Sequence, residues 1–255
     1  MISAAVGFQC PVCAGQMREG ALGEVTYRAK VRAERAPLLR NISGAQIATI
    51  LIGVNVVVFI LEALGGLDAR SAYRFGAMTS PLPASDWWRM ITAMFVHFSV
   101  LHLAFNMFAL VLFAGTIEQR YGKLRFLGLY LGSGVMGSAM SLAFTGAGIS
   151  GGASGAVFGI MGAFLAVAIM HRNSTAMRGQ MQSWIVMIGL NLLLSVSVPN
   201  VDLHDHLGGL IGGFAIGLGL EFSQTAKGSA RHAIQAAGYL VVAVAAYVVA
   251  SPHLL

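Results

Sequence analysis

The fold of this chain is organised around residues 151–170, which read GGASGAVFGIMGAFLAVAIM. The segment is apolar and rich in small residues, and Ser154 carries its single hydroxyl group. A helix of about 17 to 25 apolar residues can cross the hydrocarbon core of a bilayer, so a transmembrane helix is predicted here. A serine among small residues most often serves helix packing, and Ser154 by itself therefore predicts no function.

The composition of the whole chain indicates a membrane protein. Of its 255 residues, 56% are hydrophobic and 10% are charged, and the mean hydropathy is +0.74. A soluble domain carries about 25% charged residues, so this chain could not cover a water-exposed surface with polar groups. Lys and Arg chiefly set orientation in membrane proteins, so the net charge of +6 does not indicate a nucleic-acid partner. We predict an all-α polytopic protein embedded in the lipid bilayer.

Seven apolar segments are predicted to span the membrane, at about residues 47–64, 101–117, 126–144, 154–170, 184–198, 204–222 and 234–250. Residues 67–99 form a long connection that is too polar and too often broken by proline to be a span. It contains Trp87-Trp88-Arg89, a combination typical of the headgroup level, where we expect the arginine to snorkel. Residues 1–44 are predicted as a separate basic segment, and residues 45–255 as the membrane domain.

The positive charges predict the orientation. With the N terminus in the cytoplasm, 13 of the 16 Lys and Arg residues lie on the cytoplasmic side, and only Arg70, Arg74 and Arg89 lie outside. This distribution obeys the positive-inside rule in every loop. We therefore predict a multi-pass protein of the cell membrane, with Ser154 near the start of a span that enters from the extracytoplasmic side.

Two further groups of polar residues lie at the start of apolar segments that, like the Ser154 span, enter the membrane from the extracytoplasmic side. One is the run Asp202-Leu203-His204-Asp205-His206, and the other contains His97, His102 and Asn106. His102 and Asn106 are four residues apart and share one helix face. Ionisable groups at membrane depth are candidates for function because they are costly there. A nucleophile, a base and hydrogen-bond donors at similar depth indicate hydrolytic chemistry, with the N terminus of the Ser154 helix available to an oxyanion.

Small residues predict which spans pack together. The fourth span contains Gly155-x-x-x-Gly159, and the sixth contains Gly209-x-x-x-Gly213. This spacing lets two helix backbones approach closely in a membrane. Close approach of these two spans is what a hydrogen bond between Ser154 and His206 requires.

The chain resembles the rhomboid intramembrane serine proteases of bacteria over about residues 45–222. The residues that carry the resemblance are Trp88-Arg89, His97, His102-x-x-x-Asn106, Glu118-x-Arg120-x-Gly122, Gly152-Ala153-Ser154-Gly155 and His206-x-x-Gly209-x-x-x-Gly213. The resemblance implies a core of six transmembrane helices, to which this chain adds a seventh. It also implies an activity, which is cleavage of single-pass membrane proteins within their transmembrane segments, near the outer face of the membrane.

By the same resemblance, Ser154 and His206 form a catalytic dyad that needs no metal or organic cofactor. The oxyanion hole consists of His102, Asn106 and the backbone N–H of Ser154, and Phe158 stacks on the catalytic histidine. Asp205 is adjacent to His206 in sequence, so we expect it to point to another face of the helix and to take no part in catalysis. His97, Glu118 and Arg120 are expected to be structural.

Other classes of function remain to be weighed. The main alternative is a catalytically inactive rhomboid-like protein that binds membrane clients, although proteins of that type lack the serine or the histidine. A small transporter is a weaker alternative, because internal repeats and broken helices are missing from the sequence. A metalloprotease is disfavoured by the absence of H-E-x-x-H.

The N-terminal segment contains both cysteines of the chain, in Cys10-Pro11-Val12-Cys13. One C-x-x-C pair is half of a tetrahedral zinc site, so weak zinc binding at most is expected. Some bacterial rhomboids resemble this chain in carrying a zinc-ribbon-like segment with two such pairs. We therefore expect Met1 to be an internal start, the segment to be poorly ordered, and its deletion to leave catalysis intact.

Overall fold

The computed structural model describes residues 2–4, 7–9, 45–173, 175–198 and 201–254, in two compact units. In the first unit, Met1–Arg40, strand β1 (Ile2–Ala4) pairs antiparallel with strand β2 (Gly7–Gln9). Cys10 and Cys13 of the predicted partial zinc site lie outside the described residues, as does most of the basic segment up to residue 44.

The second unit, Asn41–Leu255, is helical, and each predicted span corresponds to one long helix among its described residues. In chain order these helices are α1 (Gln46–Leu64), α2 (Val100–Tyr121), α3 (Lys123–Phe144), α4 (Ser154–Met170), α5 (Thr175–Ser197), α6 (Leu203–Ser223) and α7 (Gly228–Ala250). The largest difference from the predicted boundaries is at α5, which begins at Thr175 rather than near 184. Its first turns are too polar to be recognised as part of a span.

Five of these helices are long and apolar enough to cross a membrane, namely α1, α2, α3, α6 and α7. The two others, α4 and the apolar part of α5, are shorter apolar helices. The all-α, multi-pass class predicted from the composition is therefore confirmed.

Helix α4 lies at the centre of the bundle, packed against α3 and α6. Thirteen of its seventeen residues are buried, which explains why it is apolar around its whole circumference. A Cβ atom placed on Gly209 of α6 would lie 2.9 Å from the Cα of Gly155, and one on Gly213 would overlap the main chain of Gly159. These glycines bring the backbones of α4 and α6 into direct contact, in the manner of small-residue packing in membranes.

The first loop, residues 65–99, is folded rather than extended. It contains short helices at Ala69–Arg74 and Arg89–Thr92 and the strand β3 (Met78–Ser80). This strand pairs antiparallel with β4 (Gly148–Ser150), with Met78 opposite Ser150. Because β4 ends immediately before Gly151, the pairing fixes the chain that leads into α4.

Arg89 does not snorkel as the sequence suggested, and that expectation is wrong. Its side chain is buried, and it donates hydrogen bonds to the carbonyl oxygens of Tyr73 at 2.6 Å and Ala77 at 3.2 Å. It also donates to the Asp86 carboxylate at 2.8 Å, and this hydrogen bond lowers the pKa of Asp86. The guanidinium is held inside the first loop because carbonyl groups that the loop turns inward need a donor.

An ion-pair cluster lies at the C-terminal end of α2, at the opposite end of the bundle from His102. Arg120 donates to both oxygens of Glu221, at 2.7 and 2.6 Å, and the hydroxyl of Tyr121 donates to the same carboxylate at 2.8 Å. His171, just after α4, lies 2.8 Å from it. A bidentate pair of this geometry is the strong form of an arginine–carboxylate contact. It ties α2 and the end of α4 to α6.

Helix α7 packs on the outside of α3 and α6. The hydroxyl of Tyr239 donates to the carbonyl of Arg125 at 2.8 Å, and Gly219 and Gly238 allow close contact with α6. After α7 the chain returns to the first loop, where Leu254 forms a parallel bridge with Leu82. The seventh helix therefore extends the bundle without entering the centre.

Candidate active site

Ser154 is the first residue of α4, two residues after Gly152, whose backbone conformation favours glycine. Gly152 has φ +139°, and its N–H donates to the carbonyl of Ala93 at 2.9 Å. A Cβ atom at Gly152 would lie 2.8 Å from Nε2 of His102 and 3.6 Å from Oγ of Ser154. The missing side chain therefore lets the imidazole of His102 approach the start of α4 and the Ser154 hydroxyl.

His102 and Asn106 lie in the first two turns of α2, on one face as their spacing predicts. Ser99 caps the helix by accepting from the His102 N–H at 3.1 Å, and the ring of Phe98 stacks on His102 at 6.2 Å and 11°. Asn106 is buried and donates from Nδ2 to the carbonyl of His102 at 3.0 Å. Its second amide hydrogen is a further donor.

His97 supports this region from the first loop, between the spans. Its side chain is fully buried, and burial lowers its pKa to about 3. The neutral ring accepts a long hydrogen bond from the Ala153 N–H, at 3.5 Å, while the His97 N–H donates to Glu62 at 3.3 Å. His97 thus connects α1 to the residue before Ser154, a structural place as expected.

The sequence, which places Asp205 on another helix face than His206, does not predict that Asp205 contacts Ser154. The Ser154 hydroxyl donates to Oδ2 of Asp205 at 3.0 Å. The carboxyl group lies in a slot between α3 and α4 that exists because two residues lack a Cβ. A Cβ on Gly137 would lie 2.6 Å from Oδ1, and one on Gly155 would lie 2.9 Å from Cγ. Gly155, which helps to bring α4 and α6 together, therefore also makes room for this acid beside Ser154.

His206 is held on two sides. Its ring stacks on Phe158, with centroids 4.3 Å apart and an interplanar angle of 17°. Its Nδ1 lies 2.6 Å from the hydroxyl oxygen of Ser195 in α5. Phe158 is one turn after Ser154 on α4, so the imidazole lies against the same face of α4 that carries Ser154.

The Ser154 hydroxyl and His206 are not hydrogen-bonded to each other in the described part of the chain. The hydroxyl has one proton, and it donates that proton to Asp205. Because Nδ1 of His206 is occupied by Ser195, Nε2 is the nitrogen that remains for Ser154. A rotation of the Ser154 side chain is needed to form the predicted contact.

Asp202 has a different place from Asp205. It caps α6 by accepting from the Asp205 N–H at 3.0 Å, and it accepts from the Thr145 hydroxyl at 2.9 Å. The hydroxyls of Ser141 and Ser150 donate to its other oxygen. These bonds join α3, β4 and α6 beside the site, which is a structural role.

Sequence reasoning missed two members of this site, the Asp205 contact and Ser195. No spacing in the sequence could have placed either of them. Helix periodicity gives the face of α6 on which Asp205 lies, but not the slot between the neighbouring helices into which its side chain fits. Ser195 lies on a different helix from its partner.

The helices and the site are those of a polytopic membrane protein in which a half-buried serine and a buried histidine lie near one end of the central helices. The family model for the Rhomboid domain matches residues 84–221, more than half of the chain. The chain belongs to the rhomboid family. The matched range contains Ser154, His206, His102 and Asn106.

Several curated relatives are similar to this chain. Rhomboid protease GluP of Bacillus subtilis (strain 168) is 39% identical over 209 residues, which are 80% of this chain and 40% of the relative. RHOMBOID-like protein 6, mitochondrial, of Arabidopsis thaliana is 37% identical over 62% of this chain and 48% of its own. Rhomboid-like protease 1 of Toxoplasma gondii is 35% identical over 56% and 51%. The chain spans about half the length of these relatives or less.

Proposed function

We propose that this chain is an intramembrane serine endopeptidase with Ser154 as nucleophile and His206 as general base. The observation that carries the proposal is the stacking of His206 on Phe158, one turn from Ser154 on the central helix. The stacking places His206, with Nε2 available, against the face of α4 that carries Ser154. Ser154 has the only hydroxyl group of that helix. The protease names of similar proteins, GluP among them, support the same reaction.

The reaction follows from these two side chains. The Ser154 hydroxyl turns from Asp205 to Nε2 of His206, which takes its proton as Oγ attacks a peptide carbonyl carbon. The protonated His206 then donates to the leaving amine, and an acyl-enzyme remains on Ser154. Water that gives a proton to the same histidine releases the product and restores the serine.

The negative oxygen of the tetrahedral intermediate needs donors beside Ser154. The backbone N–H of Ser154 is at the N terminus of α4, where N–H groups lack helical partners. His102 lies next to it across Gly152, and Asn106 is one turn farther along α2. These three groups form the proposed oxyanion hole.

We propose that the site opens toward the extracytoplasmic side of the cell membrane, with the N terminus in the cytoplasm. The distribution of 13 of the 16 Lys and Arg residues supports this orientation. Ser154, His102 and His206 all lie within the first turn of their helices at the proposed outer end. The proposed substrates are single-pass membrane proteins, cut in the outer part of their transmembrane segments.

One observation favours a second candidate, an inactive rhomboid-like protein that binds membrane clients. The Ser154 hydroxyl donates to Asp205 and not to His206. If that bond persisted when a substrate is bound, the nucleophile would stay unactivated. The two candidates differ in turnover and not in binding.

The experiment is cleavage of a single-pass substrate in proteoliposomes by purified wild type, Ser154→Ala and His206→Ala. We expect both variants to lose cleavage and to lose labelling of Ser154 by a fluorophosphonate, because the covalent route is gone. Ser197→Ala is the matched control, since Ser197 is an exposed serine of α5 outside the site. A Ser154→Ala protein that still cuts the substrate refutes the proposal, and a wild type that binds without cutting supports the client-binding alternative.

We also propose that residues 1–44 are a separate segment that catalysis does not need. The start of α1 lies near Glu118, whose carboxylate accepts from the Ile47 and Ala48 N–H groups at the end of the bundle away from Ser154. Deleting residues 1–40 should therefore leave the turnover number unchanged in the same assay. Complete loss of cleavage by a folded deletion variant would overturn this.

A further inference from the structure

Ser195 is a buried hydroxyl on a helix whose neighbouring residues face outward. Its side chain is 4% exposed, whereas Leu194 and Val196 on either side are 58% and 68% exposed. Its oxygen is 2.6 Å from Nδ1 of His206, and it also donates to the carbonyl of Asn191 at 2.8 Å. The same oxygen therefore takes part in two hydrogen bonds.

Proton counting decides the direction of both bonds. A serine hydroxyl has one proton, and a neutral imidazole has one nitrogen that donates and one that accepts. The carbonyl of Asn191 can only accept, so it takes the Ser195 proton. The contact with His206 is then a hydrogen bond only if Nδ1–H of His206 donates to the Ser195 oxygen. The hydroxyl network thus assigns the histidine proton to Nδ1.

This tautomer is the one that a general base needs here. The hydrogen bond made by one ring nitrogen determines the protonation of the other. With the proton on Nδ1, Nε2 carries the lone pair that can accept the Ser154 proton. If the proton were on Nε2 instead, that nitrogen would be a donor and could not act as the base.

We propose that Ser195 is a positioning residue of the active site, which holds His206 as the Nδ1–H tautomer and fixes the rotation of its ring. The inference rests on the proposed function, because it assigns Nε2 to Ser154. Phe158 restrains the face of the ring and Ser195 restrains its edge. Helix α5 thereby contributes to catalysis through a neutral hydroxyl rather than through an acidic group.

A nearby serine shows that the contact is not a general property of serines in this helix. Ser197 donates to the carbonyl of Leu193 at 2.8 Å, four residues earlier. Ser195 makes the equivalent hydrogen bond to Asn191. Ser197 is exposed, and its hydroxyl bonds to its own helix. It therefore supplies a control with the same local geometry.

The test compares Ser195→Thr with Ser195→Val in the proteoliposome assay. Thr and Val have nearly the same shape, so the added methyl group costs both variants the same packing, and they differ in the hydroxyl alone. We expect the Thr variant to retain most of the wild-type kcat. The Val variant should lose roughly tenfold in kcat at unchanged KM, about the factor that one neutral hydrogen bond represents. Ser197→Val should match wild type.

The outcomes separate this inference from the proposed function. If Thr and Val fall together, Ser195 only fills space and the inference is wrong. If wild type neither cuts nor reacts with the fluorophosphonate, the proposed function fails first. A second measurement needs no variant, namely the ¹⁵N chemical shifts of His206 in wild-type protein in micelles. A protonated Nδ1 is expected, and a protonated Nε2 in the neutral ring would overturn the assignment even if the Val variant did not fold.

Discussion

Helices α2, α4 and α6 carry one polar cluster at each end, and the two clusters are built on different principles. At one end, the Glu221 carboxylate is 2% exposed and accepts from Arg120, Tyr121 and Gln224. At the other end, the Ser154 hydroxyl meets the Asp205 carboxyl group, and His206 meets the hydroxyl of Ser195. The first cluster joins opposite charges, and the second joins groups that can exchange a proton.

The difference indicates which cluster stabilises the fold and which performs chemistry. A buried carboxylate with a bidentate arginine partner is fixed, because removing either partner leaves an unpaired charge. A hydroxyl with one proton and two possible acceptors can change partner at little cost. We therefore expect substitutions at the Glu221 end to alter stability and substitutions at the Ser154 end to alter turnover.

The largest effect is expected at Glu221. Glu221→Ala should lower the free energy of unfolding by about 3–5 kcal/mol, because Arg120 loses its carboxylate partner within the bundle. Reversible unfolding in mixed micelles measures this. The fraction that stays folded should keep its wild-type kcat. A stable variant with a reduced kcat would contradict this prediction, since the Glu221 cluster would then act on turnover.

Asn106→Ala should show the opposite pattern. We expect kcat to fall by roughly 10²-fold, as when one oxyanion donor is lost, while unfolding changes by no more than about 1 kcal/mol. His102→Ala should reduce kcat at least as much, because its ring also packs over Gly152. Kinetics and unfolding on the same preparations provide the check. A change confined to KM would place these residues in substrate binding instead.

Glu118→Ala is expected to affect stability at the Glu221 end of the bundle. Its carboxylate accepts from the N–H groups of Ile47 and Ala48 at 2.9 Å each, so it caps α1 from another helix. Loss of a cap costs about 1–2 kcal/mol, and the unfolding free energy should fall by that amount. Glu118→Gln, which keeps an acceptor oxygen, should recover part of it. Equal losses in the two variants would indicate packing rather than capping.

The smallest effect is expected at Asp205. The Ser154 hydroxyl must leave Asp205 before it can donate to His206, and Asp205→Ala removes that competing acceptor. One hydrogen bond contributes about 1 kcal/mol, so kcat/KM should rise by about fivefold. Steady-state cleavage measures the change, with Asp202→Ala as the neighbouring carboxylate for comparison. A 10²-fold fall would instead make Asp205 part of the catalytic machinery.

Composition, the lengths of the apolar runs and short motifs were enough to predict the membrane class, the seven helices and the family resemblance. Composition and the length of an apolar run are properties of a single segment, so they can be used without knowing which helices are in contact. The glycine spacing also indicated the α4–α6 pair, through Gly155 and Gly159 on one helix and Gly209 and Gly213 on the other. A missing side chain on each helix permits the two backbones to approach closely. Phe158 was named by resemblance, and the structure stacks it on His206.

The hydrogen-bond partner of each polar side chain, in contrast, depends on how distant segments pack. Helix periodicity placed Asp205 on a different face from His206, but the slot between Gly137 and Gly155 turns its carboxyl group toward Ser154. Arg89 was expected at the lipid surface, and the carbonyl groups of the folded first loop draw it inside. Ser195 could not be found, because its partner is on another helix. A hydrogen bond depends on atomic positions to within a few tenths of an ångström, and packing between distant segments sets those positions.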